Sequence, residues 1–317
     1  GLKHPHDSGG GGRPNFAGVI DPFGDYGDFN LNQGVYTMMT YNDGWQTSPT
    51  GPLDPTVISR YGYEGSPMAF DIAALQFLYG ANTSYRTGND VYMLPAGNAA
   101  GTFFSCLWDT SGVDTIRNLS LKSSTIDLRP ATLQHAVGGG GYLSVTEGVS
   151  GGFTIANGTL IENVTGGGGS DRITGNWATN ILIGNGGNDV LNGLSGADRI
   201  VGGMGADTLI GGNGADDFVY TAVNHSNNQF DVIKDFIHGV DDIDVAAIDA
   251  NGAAAGNAAF NFRGNSAFTG TGAEVRWMQH AAANITNVLF DIDGNQVADM
   301  TIRLTGLITL DTGDFML

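Results

Sequence analysis

Hydrophobic residues recur every nine positions along the middle of the chain. Between residues 166 and 219, six contiguous units follow the pattern G-G-x-G-x-D-x-U-x, in which U is apolar. The glycine-rich first six positions predict a turn, and the last three predict a short strand with one inward side chain. Two units complete one coil, so the pattern predicts a parallel β-roll that buries the eighth positions, which are Ile173, Leu182, Leu191, Ile200, Leu209 and Phe218.

The sixth position of each unit predicts calcium sites. Its residues are Asp171, Asn180, Asp189, Asp198, Asp207 and Asp216. Like positions stack every 18 residues, so these side chains form two edges, and stacked carboxylates repel unless a cation lies between them. Ca²⁺ fits, because it accepts several carboxylate and carbonyl oxygens at once. We expect Asn180 to weaken calcium binding at its place along that edge. The turn glycines complete the predicted ligand set: Gly167, Gly169, Gly187, Gly196, Gly203, Gly205, Gly212 and Gly214.

Two other interpretations of the glycine-rich region are weaker. A flexible linker does not account for six copies in phase with an apolar eighth position. A phosphate-binding loop is excluded, because no Lys-Ser/Thr pair follows the glycines. The apolar interior of each coil is thin, so we expect the roll to need calcium for folding.

Elsewhere the pattern predicts one helix and several short strands. Residues 66–79 have apolar positions at helical spacing, with Ser66 as the expected N-cap and Gly80 after the last turn. Strand-like runs cover residues 260–262, 275–278, 288–291 and 300–304. The chain is therefore predicted to be mainly β.

Composition narrows the possible partners. Acidic residues number 32 against 13 basic ones, and the net charge of −19 argues against binding nucleic acid or an anionic membrane. Only four of the acids are glutamate, and a surplus of short aspartate side chains suits metal-binding turns. The sequence contains no run of 18 apolar residues, so no membrane span is predicted. The single cysteine, Cys106, excludes an intramolecular disulfide.

The first six residues, GLKHPH, resemble the end of the zinc motif H-E-x-x-H-x-x-G-x-x-H. Gly1 matches the turn glycine and His4 the third zinc ligand. Residues 35–45, VYTMMTYNDGW, resemble the Met-turn of the serralysin family, in which Met39 would lie beneath the zinc and Tyr41 would reach the metal. The helix of residues 66–79 is similar to the one that leads out of the protease domain in that family.

Three further segments follow in the order that this family has. They are FFSCLWDTSGVDTI, FDVIKDFIHGVDDIDV and the acidic-then-apolar terminus DFML. The chain is therefore identified as similar to the C-terminal portion of a serralysin-type (peptidase M10B) RTX zinc metalloprotease, beginning inside the zinc motif.

This resemblance implies a secreted, extracellular endopeptidase of a Gram-negative bacterium, with Zn²⁺ and several Ca²⁺ as cofactors. It implies protein and peptide substrates, and export by the type I secretion machinery. The first two zinc histidines and the general-base glutamate are not among the 317 residues. We therefore expect the chain alone to be inactive, and a retained N-terminal fragment of the same protease to be a possible partner.

Acidic residues after the repeats are further candidates for calcium. Asp235 and Asp242 are predicted ligands, and Asp231 is a weaker candidate. The loop D-I-D-G-N-Q-V-A-D contributes Asp291, Asp293 and Asp299, but a plain hairpin turn explains the same sequence. His6 is expected beside the zinc rather than on it.

Three parts are predicted along the chain. Residues 1–85 would be the C-terminal part of an α/β metzincin catalytic domain. Residues 86–245 would be a β-rich region that includes the roll, and residues 246–317 a β-sandwich-like module that ends in the secretion signal. The alternative function is a non-enzymatic calcium-binding RTX module, either an inactive fragment or an adhesin-like protein.

Overall fold

The structure is a computed structural model that describes residues 4–5, 17–21, 23–49, 61–226, 229–250 and 259–317. Gly1, the expected turn glycine of the zinc motif, and His6, expected beside the zinc, lie outside this range. The chain divides into two compact units, Gly1–Glu162 and Asn163–Leu317. The three-part division expected from the sequence stays a prediction.

The first unit contains one α-helix, α1 (Ala69–Tyr79), and a single 3₁₀ turn among its described residues, Asp28–Asn30. Its strands are β1 (Val91–Met93), β2 (Phe104–Leu107), β3 (Thr115–Arg117), β4 (Ser124–Asp127), β5 (Ser144–Thr146) and β6 (Gly152–Ile155). β1 pairs with β3 in parallel, while β4, β5 and β6 form an antiparallel set to which β2 adds in parallel. A buried cluster that includes Val35, Met68 and Phe104 joins the Met-turn region to α1 and β2.

Helix α1 begins later than the sequence predicts. Met68, not Ser66, is the N-cap, and its backbone N–H donates to Oδ2 of Asp71 at 3.0 Å. The hydroxyl of Ser66 instead accepts a hydrogen bond from the backbone N–H of Cys106 on β2. The expected cap therefore ties the approach to the helix to the neighbouring strand.

The second unit is built on the predicted roll. Its strands are β7 (Asn163–Thr165), β8 (Arg172–Thr174), β9 (Ile181–Gly186), β10 (Val190–Ser195), β11 (Arg199–Met204), β12 (Thr208–Asn213), β13 (Asp217–Val219), β14 (Val232–Ile233), β15 (Asp242–Asp244), β16 (Asn261–Phe262), β17 (Glu274–His280), β18 (Ile285–Asp291), β19 (Met300–Thr305) and β20 (Phe315–Met316). In the described part of this unit, three 3₁₀ turns lie between the strands, at Val223–His225, Ala281–Ala283 and Thr312–Asp314. Strands dominate both units, which confirms the mainly β fold class.

Alternate strands of the roll form two parallel sheets. One has the order β7-β9-β11-β13-β15-β20, and the other runs β8-β10-β12-β14-β19. Leu191 lies opposite Leu209 and Ile200 lies opposite Phe218, so equivalent positions stack every 18 residues. All six side chains at the eighth repeat position are fully buried. The predicted parallel β-roll is confirmed.

The roll strands are longer than the repeat predicts. Strands β9–β12 have six residues and continue into the glycine-rich part of the next unit. The chain turns the corner at the second repeat position with positive φ, which is 75° at Asn185, 74° at Leu194 and 108° at Gly203. A Cβ on Gly203 would lie 2.0 Å from the carbonyl oxygen of Asn185, so position 203 requires glycine.

The last strands continue the second roll sheet. β17, β18 and β19 form an antiparallel meander, and β19 pairs in parallel with β14. The terminal strand β20 pairs with β15 through Phe315 and Ile243. The C-terminal residues are therefore an integral edge of the roll.

Candidate metal centres

The sixth-position carboxylates form a hydrogen-bonded ladder along one edge of the roll. The backbone N–H of Asp171 donates to Oδ1 of Asp189 at 2.7 Å, and that of Asp189 donates to Oδ1 of Asp207 at 2.8 Å. The backbone N–H of Asp207 donates in turn to Oδ1 of Asp231 at 2.9 Å. The structure therefore adds Asp231, a weaker sequence candidate, to this first ladder as its last member.

A second ladder follows the other edge. The N–H of Asn180 donates to Asp198 at 2.7 Å, that of Asp198 to Asp216 at 2.9 Å, and that of Asp216 to Asp241 at 3.1 Å. Asp241 belongs to the acidic stretch after the repeats in which calcium ligands are expected, but the sequence did not single it out. Its distance of 25 residues from Asp216 breaks the period of 18, so repeat spacing alone does not identify it.

One oxygen of most ladder carboxylates has no protein partner. Oδ2 of five ladder members is buried without a hydrogen bond: Asp189, Asp198, Asp207, Asp216 and Asp231. Burial raises the pKa of Asp189 and Asp198 to about 7, and that of Asp231 to about 8. Buried carboxylate oxygens without a donor are costly unless a cation binds them. The donor set therefore fits calcium.

The fourth-position glycines stack against one another between coils. A Cβ on Gly205 would lie 1.8 Å from the carbonyl oxygen of Gly187, and one on Gly214 would lie 1.6 Å from that of Gly196. Gly187 is in the same relation to Gly169. These positions therefore require glycine, because the backbones of successive coils approach closely there.

The two other acids predicted after the repeats lie off the ladders. Both oxygens of Asp235 accept backbone hydrogen bonds, from Gly211 at 3.0 Å and Gly212 at 2.9 Å. Asp242 lies on β15 opposite Asp217. The structure therefore brings Asp231 and Asp241 into the ladders, and not Asp235 or Asp242.

The loop between β18 and β19 brings three carboxylates together. Oxygens of Asp291, Asp293 and Asp299 lie within 4.8 Å of one another. Both oxygens of Asp291 already accept backbone N–H groups of the loop, including Gly294 at 2.9 Å and Gln296 at 2.9 Å. The loop joins antiparallel strands, so it is a hairpin connection as well as an acidic cluster.

A third acidic cluster lies in the first unit and was missed by sequence reasoning. Oxygens of Asp90, Asp109 and Asp114 lie within 4.8 Å of one another. Oδ1 of Asp114 accepts the N–H of Asp90 at 2.7 Å, while its Oδ2 is buried without a partner. Burial, with the charges of Asp109, Glu162 and Asp90, raises the pKa of Asp114 to about 6.

The pairing of β1 with β3 explains why this cluster forms. Val91 lies opposite Thr115, so the preceding residues, Asp90 and Asp114, meet at the same end of the two strands. The phenolic hydroxyl of Tyr92 donates to Oδ2 of Asp109, which fixes the third carboxylate. The sequence does show an aspartate directly before each of these two short strands. This signal predicts a cluster only if the two strands are known to pair.

The predicted zinc residues of the described range lie together. Nδ1 of His4 is 2.5 Å from the carbonyl oxygen of Met39, and Nε2 of His4 is 3.5 Å from the hydroxyl of Tyr41. The two rings stack with centroids 4.6 Å apart. Within the described residues, no cluster of three His, Cys, Asp or Glu ligands includes His4. His4 and Tyr41 together fit one side of a zinc site.

The fold defines a mainly β protein whose second unit is a parallel β-roll edged by two ladders of aspartate side chains. The family model for the peptidase M10 serralysin C terminus matches residues 70–317. The chain belongs to this family. Among the described residues, no helix is long and apolar enough to cross a membrane.

The relatives that match along the chain are metalloproteases. Serralysin C of Dickeya chrysanthemi is 36% identical over 100% of this chain and 59% of the relative. Serralysin of Proteus mirabilis is 36% identical over 100% of this chain and 61% of its own length. Metalloprotease AprA of Pseudomonas entomophila is 34% identical over 96% and 58%, respectively. The chain thus spans about three-fifths of these relatives.

One of the solved structures that match has a partial likeness to this chain. It is the R2 subunit of a mannuronan C5-epimerase from Azotobacter vinelandii, which is 24% identical with a TM-score of 0.36. The match covers 47% of this chain and 88% of that one.

Proposed function

We propose that this chain is the C-terminal part of a secreted zinc- and calcium-dependent endopeptidase that hydrolyses peptide bonds of proteins. The observation that carries the proposal is the contact of His4 with both Met39 and Tyr41. The metalloprotease names of the relatives support the same activity.

The contact with Met39 suits His4 to bind a metal. A carbonyl oxygen at Nδ1 holds the proton on that nitrogen, so Nε2 presents its lone pair, as histidine ligands do when their other nitrogen is bonded. Zinc, when bound, supplies a Lewis acid that activates water and polarises the peptide carbonyl. Tyr41, with its side chain 45% exposed, presents its hydroxyl on the same side as Nε2 and is suited to donate a hydrogen bond to the developing oxyanion.

Calcium is proposed to stabilise the roll and the cluster of Asp90, Asp109 and Asp114. The support is the set of buried carboxylate oxygens that lack protein donors. A cation at these positions supplies the missing partner, so binding and folding are coupled. In a compartment with little calcium the chain would stay loosely folded.

Export by a type I secretion system is proposed from the terminal sequence DFML. In the folded protein Asp314 is fully buried and Phe315 is 8% exposed, so these two residues of the segment are accessible only before the roll closes. Low calcium before export and high calcium after it would give that order.

Activity tests the catalytic part of the proposal. The 317 residues contain no H-E-x-x-H sequence, so we expect no caseinolysis from the chain alone with Zn²⁺ and Ca²⁺. The longer polypeptide that carries the residues upstream of Gly1 should cleave casein, and a His4→Gln variant of it should lose activity and zinc together. Calcium-dependent folding without zinc-dependent cleavage in the longer polypeptide would favour the non-enzymatic RTX module.

A further inference from the structure

Asp71 connects helix α1 to the Met-turn. Its side chain is 2% exposed, and its two oxygens accept three hydrogen bonds. The hydroxyl of Thr37 donates to Oδ1 at 2.7 Å, and the backbone N–H of Met38 donates to Oδ2 at 2.8 Å. The third donor is the N–H of Met68 at the helix N-terminus. One carboxylate therefore holds two residues of the Met-turn on the first turn of the helix.

The hydrogen bonds continue from the Met-turn to the imidazole of His4. The N–H of Met39 donates to the hydroxyl of Thr37 at 3.2 Å, which orients the peptide group between Met38 and Met39. The carbonyl of the same residue contacts Nδ1 of His4 at 2.5 Å. The path from Asp71 to the proposed metal-binding ring thus runs through the hydroxyl of Thr37 and the backbone of Met39.

We propose that Asp71 is a positioning residue that fixes the tautomer and orientation of His4 through the Met-turn. Negative charge at this place suits the helix N-terminus, and charge-assisted bonds to Met38 and Thr37 are stronger than neutral ones. Because the Met39 carbonyl is held, the His4 ring keeps its proton on Nδ1 and directs Nε2 towards Tyr41. The metal-binding consequence rests on the proposed function, whereas the ring geometry does not.

Side-chain chemistry separates this role from helix capping alone. In Asp71→Asn, the amide oxygen can still accept from Met38 and Met68, and the amide N–H₂ can donate to the hydroxyl of Thr37. In Asp71→Ala all three bonds are lost. Thr37→Val removes the two hydroxyl bonds of the path and leaves the bond between Asp71 and Met68 intact.

The test is ¹⁵N NMR of histidine-labelled 317-residue chain in calcium, with the His4 signals assigned from their loss in His4→Gln. The wild type should show a fixed Nδ1–H tautomer, with well-separated shifts of the two ring nitrogens. Asp71→Ala and Thr37→Val should bring these shifts together as the tautomers average, and Asp71→Asn should restore the separation. Asp127→Ala is the matched control, because Asp127 is a buried aspartate of the same unit bonded to Arg129.

The results separate positioning from general stability. If Asp71→Ala lowers the melting temperature as Asp127→Ala does but leaves the His4 shifts unchanged, Asp71 is structural only and the inference is wrong. If Asp71→Ala does not fold, unchanged His4 ring-nitrogen shifts in Thr37→Val overturn the inference equally. In the longer polypeptide, Asp71→Ala should lower kcat/KM about 10–100-fold, as loss of a group behind a metal ligand does. If Asp71→Ala averages the His4 shifts but kcat/KM of the longer polypeptide does not fall, the result contradicts the protease proposal and not the positioning role.

Discussion

The backbone N–H of Asp189 donates to Oδ1 of Asp207, its counterpart one coil along the roll, at 2.8 Å. This bond fixes each carboxylate relative to the next coil and commits one of its oxygens to the backbone. The other oxygen, Oδ2, is buried without a donor in both residues. The roll therefore holds anionic groups at a fixed spacing that only a proton or a cation can neutralise.

Replacing Asn180 by aspartate should strengthen calcium binding. Asn180 is the single amide at the sixth repeat position and is fully buried in the second ladder. Asn180→Asp adds a charged ligand, and calcium affinity rises with ligand charge, so we expect Kd at that step to fall about tenfold. Isothermal titration calorimetry measures the change.

The reverse exchange is the control. Asp198→Asn, on the same ladder, should weaken binding by a similar factor. Without calcium the order should invert, because Asn180→Asp adds an unneutralised buried charge and should lower the melting temperature. If Asn180→Asp raises the melting temperature in chelator and does not strengthen calcium binding, the ladder carboxylates are not cation sites.

The pH dependence of stability should change sign with calcium. In chelator, burial holds the pKa of Asp189 at about 7 and that of Asp231 at about 8, above the ordinary 3.8. Between these values the folded state binds more protons than the unfolded state. The free energy of unfolding should therefore fall as pH rises from about 4 to about 8. Thermal melts of the β signal by circular dichroism follow this.

Calcium reverses the slope because it binds the deprotonated carboxylates. With saturating Ca²⁺, the melting temperature should rise over the same pH range, since protons compete with the ion at low pH. Equal slopes with and without calcium would show that the ladder carboxylates bind no calcium.

The roll was predictable because its information is local and repeated. The eighth positions, such as Leu191 and Leu209, gave the strands, the inward face and the stacking distance of 18 residues from the period alone. The length of the strands was not predictable in this way. It depends on the positive-φ corner at Leu194 and Gly212, where the chain keeps its pairing with the next coil through the turn.

The sites that close the roll depend on contacts outside the period. Asp231 and Asp241 take ladder positions only because an insertion of the chain returns to the register of Asp207 and Asp216. Asp235, which looks equivalent in sequence, caps backbone N–H groups instead. The cluster at Asp114 likewise depends on the β1–β3 pair. A one-dimensional pattern gives the residue types but not which of several nearby aspartates points inward.

The cluster of the first unit should bind a hard cation next to Tyr92. The hydroxyl of Tyr92 contacts Asp109, so Tb³⁺ bound there should show luminescence sensitised by this tyrosine. Asp114→Asn removes the carboxylate whose Oδ2 lacks a partner and should lower the apparent affinity by about tenfold or more, as fewer charged ligands bind a hard cation less tightly.

Tyr92→Phe provides the control for this site. It should reduce the sensitised emission while leaving Ca²⁺ competition at the remaining sites unchanged. If Asp114→Asn leaves both the emission and the Ca²⁺ titration unchanged, the three carboxylates are a protein-only network. A rise in melting temperature of Asp114→Asn in chelator should accompany the loss of binding, because burial raises the pKa of this carboxyl.

The C-terminal strand should be held less tightly as pH rises. Nδ1 of His238 lies 2.7 Å from Oδ1 of Asp314, and the hydrogen bond and charge of that carboxylate raise the pKa of His238. The contribution to docking is complete below pH 6.5, the ordinary value, and is lost as pH rises through the higher folded pKa. Carboxypeptidase should therefore release Leu317 and Met316 faster on the alkaline side of that value.

His238→Gln should remove the pH dependence of this release without removing the strand pairing of Phe315 with Ile243. Asp314 keeps its bonds from the N–H groups of Gly239 and Asp311 in that variant, so the tail should remain docked but more weakly at low pH. His280→Gln is the matched control, because His280 contacts the side-chain amide of Asn287 at 3.2 Å in the meander. If release from His238→Gln keeps the wild-type pH profile, the ion pair does not hold the terminus, and the pairing of β20 with β15 alone does.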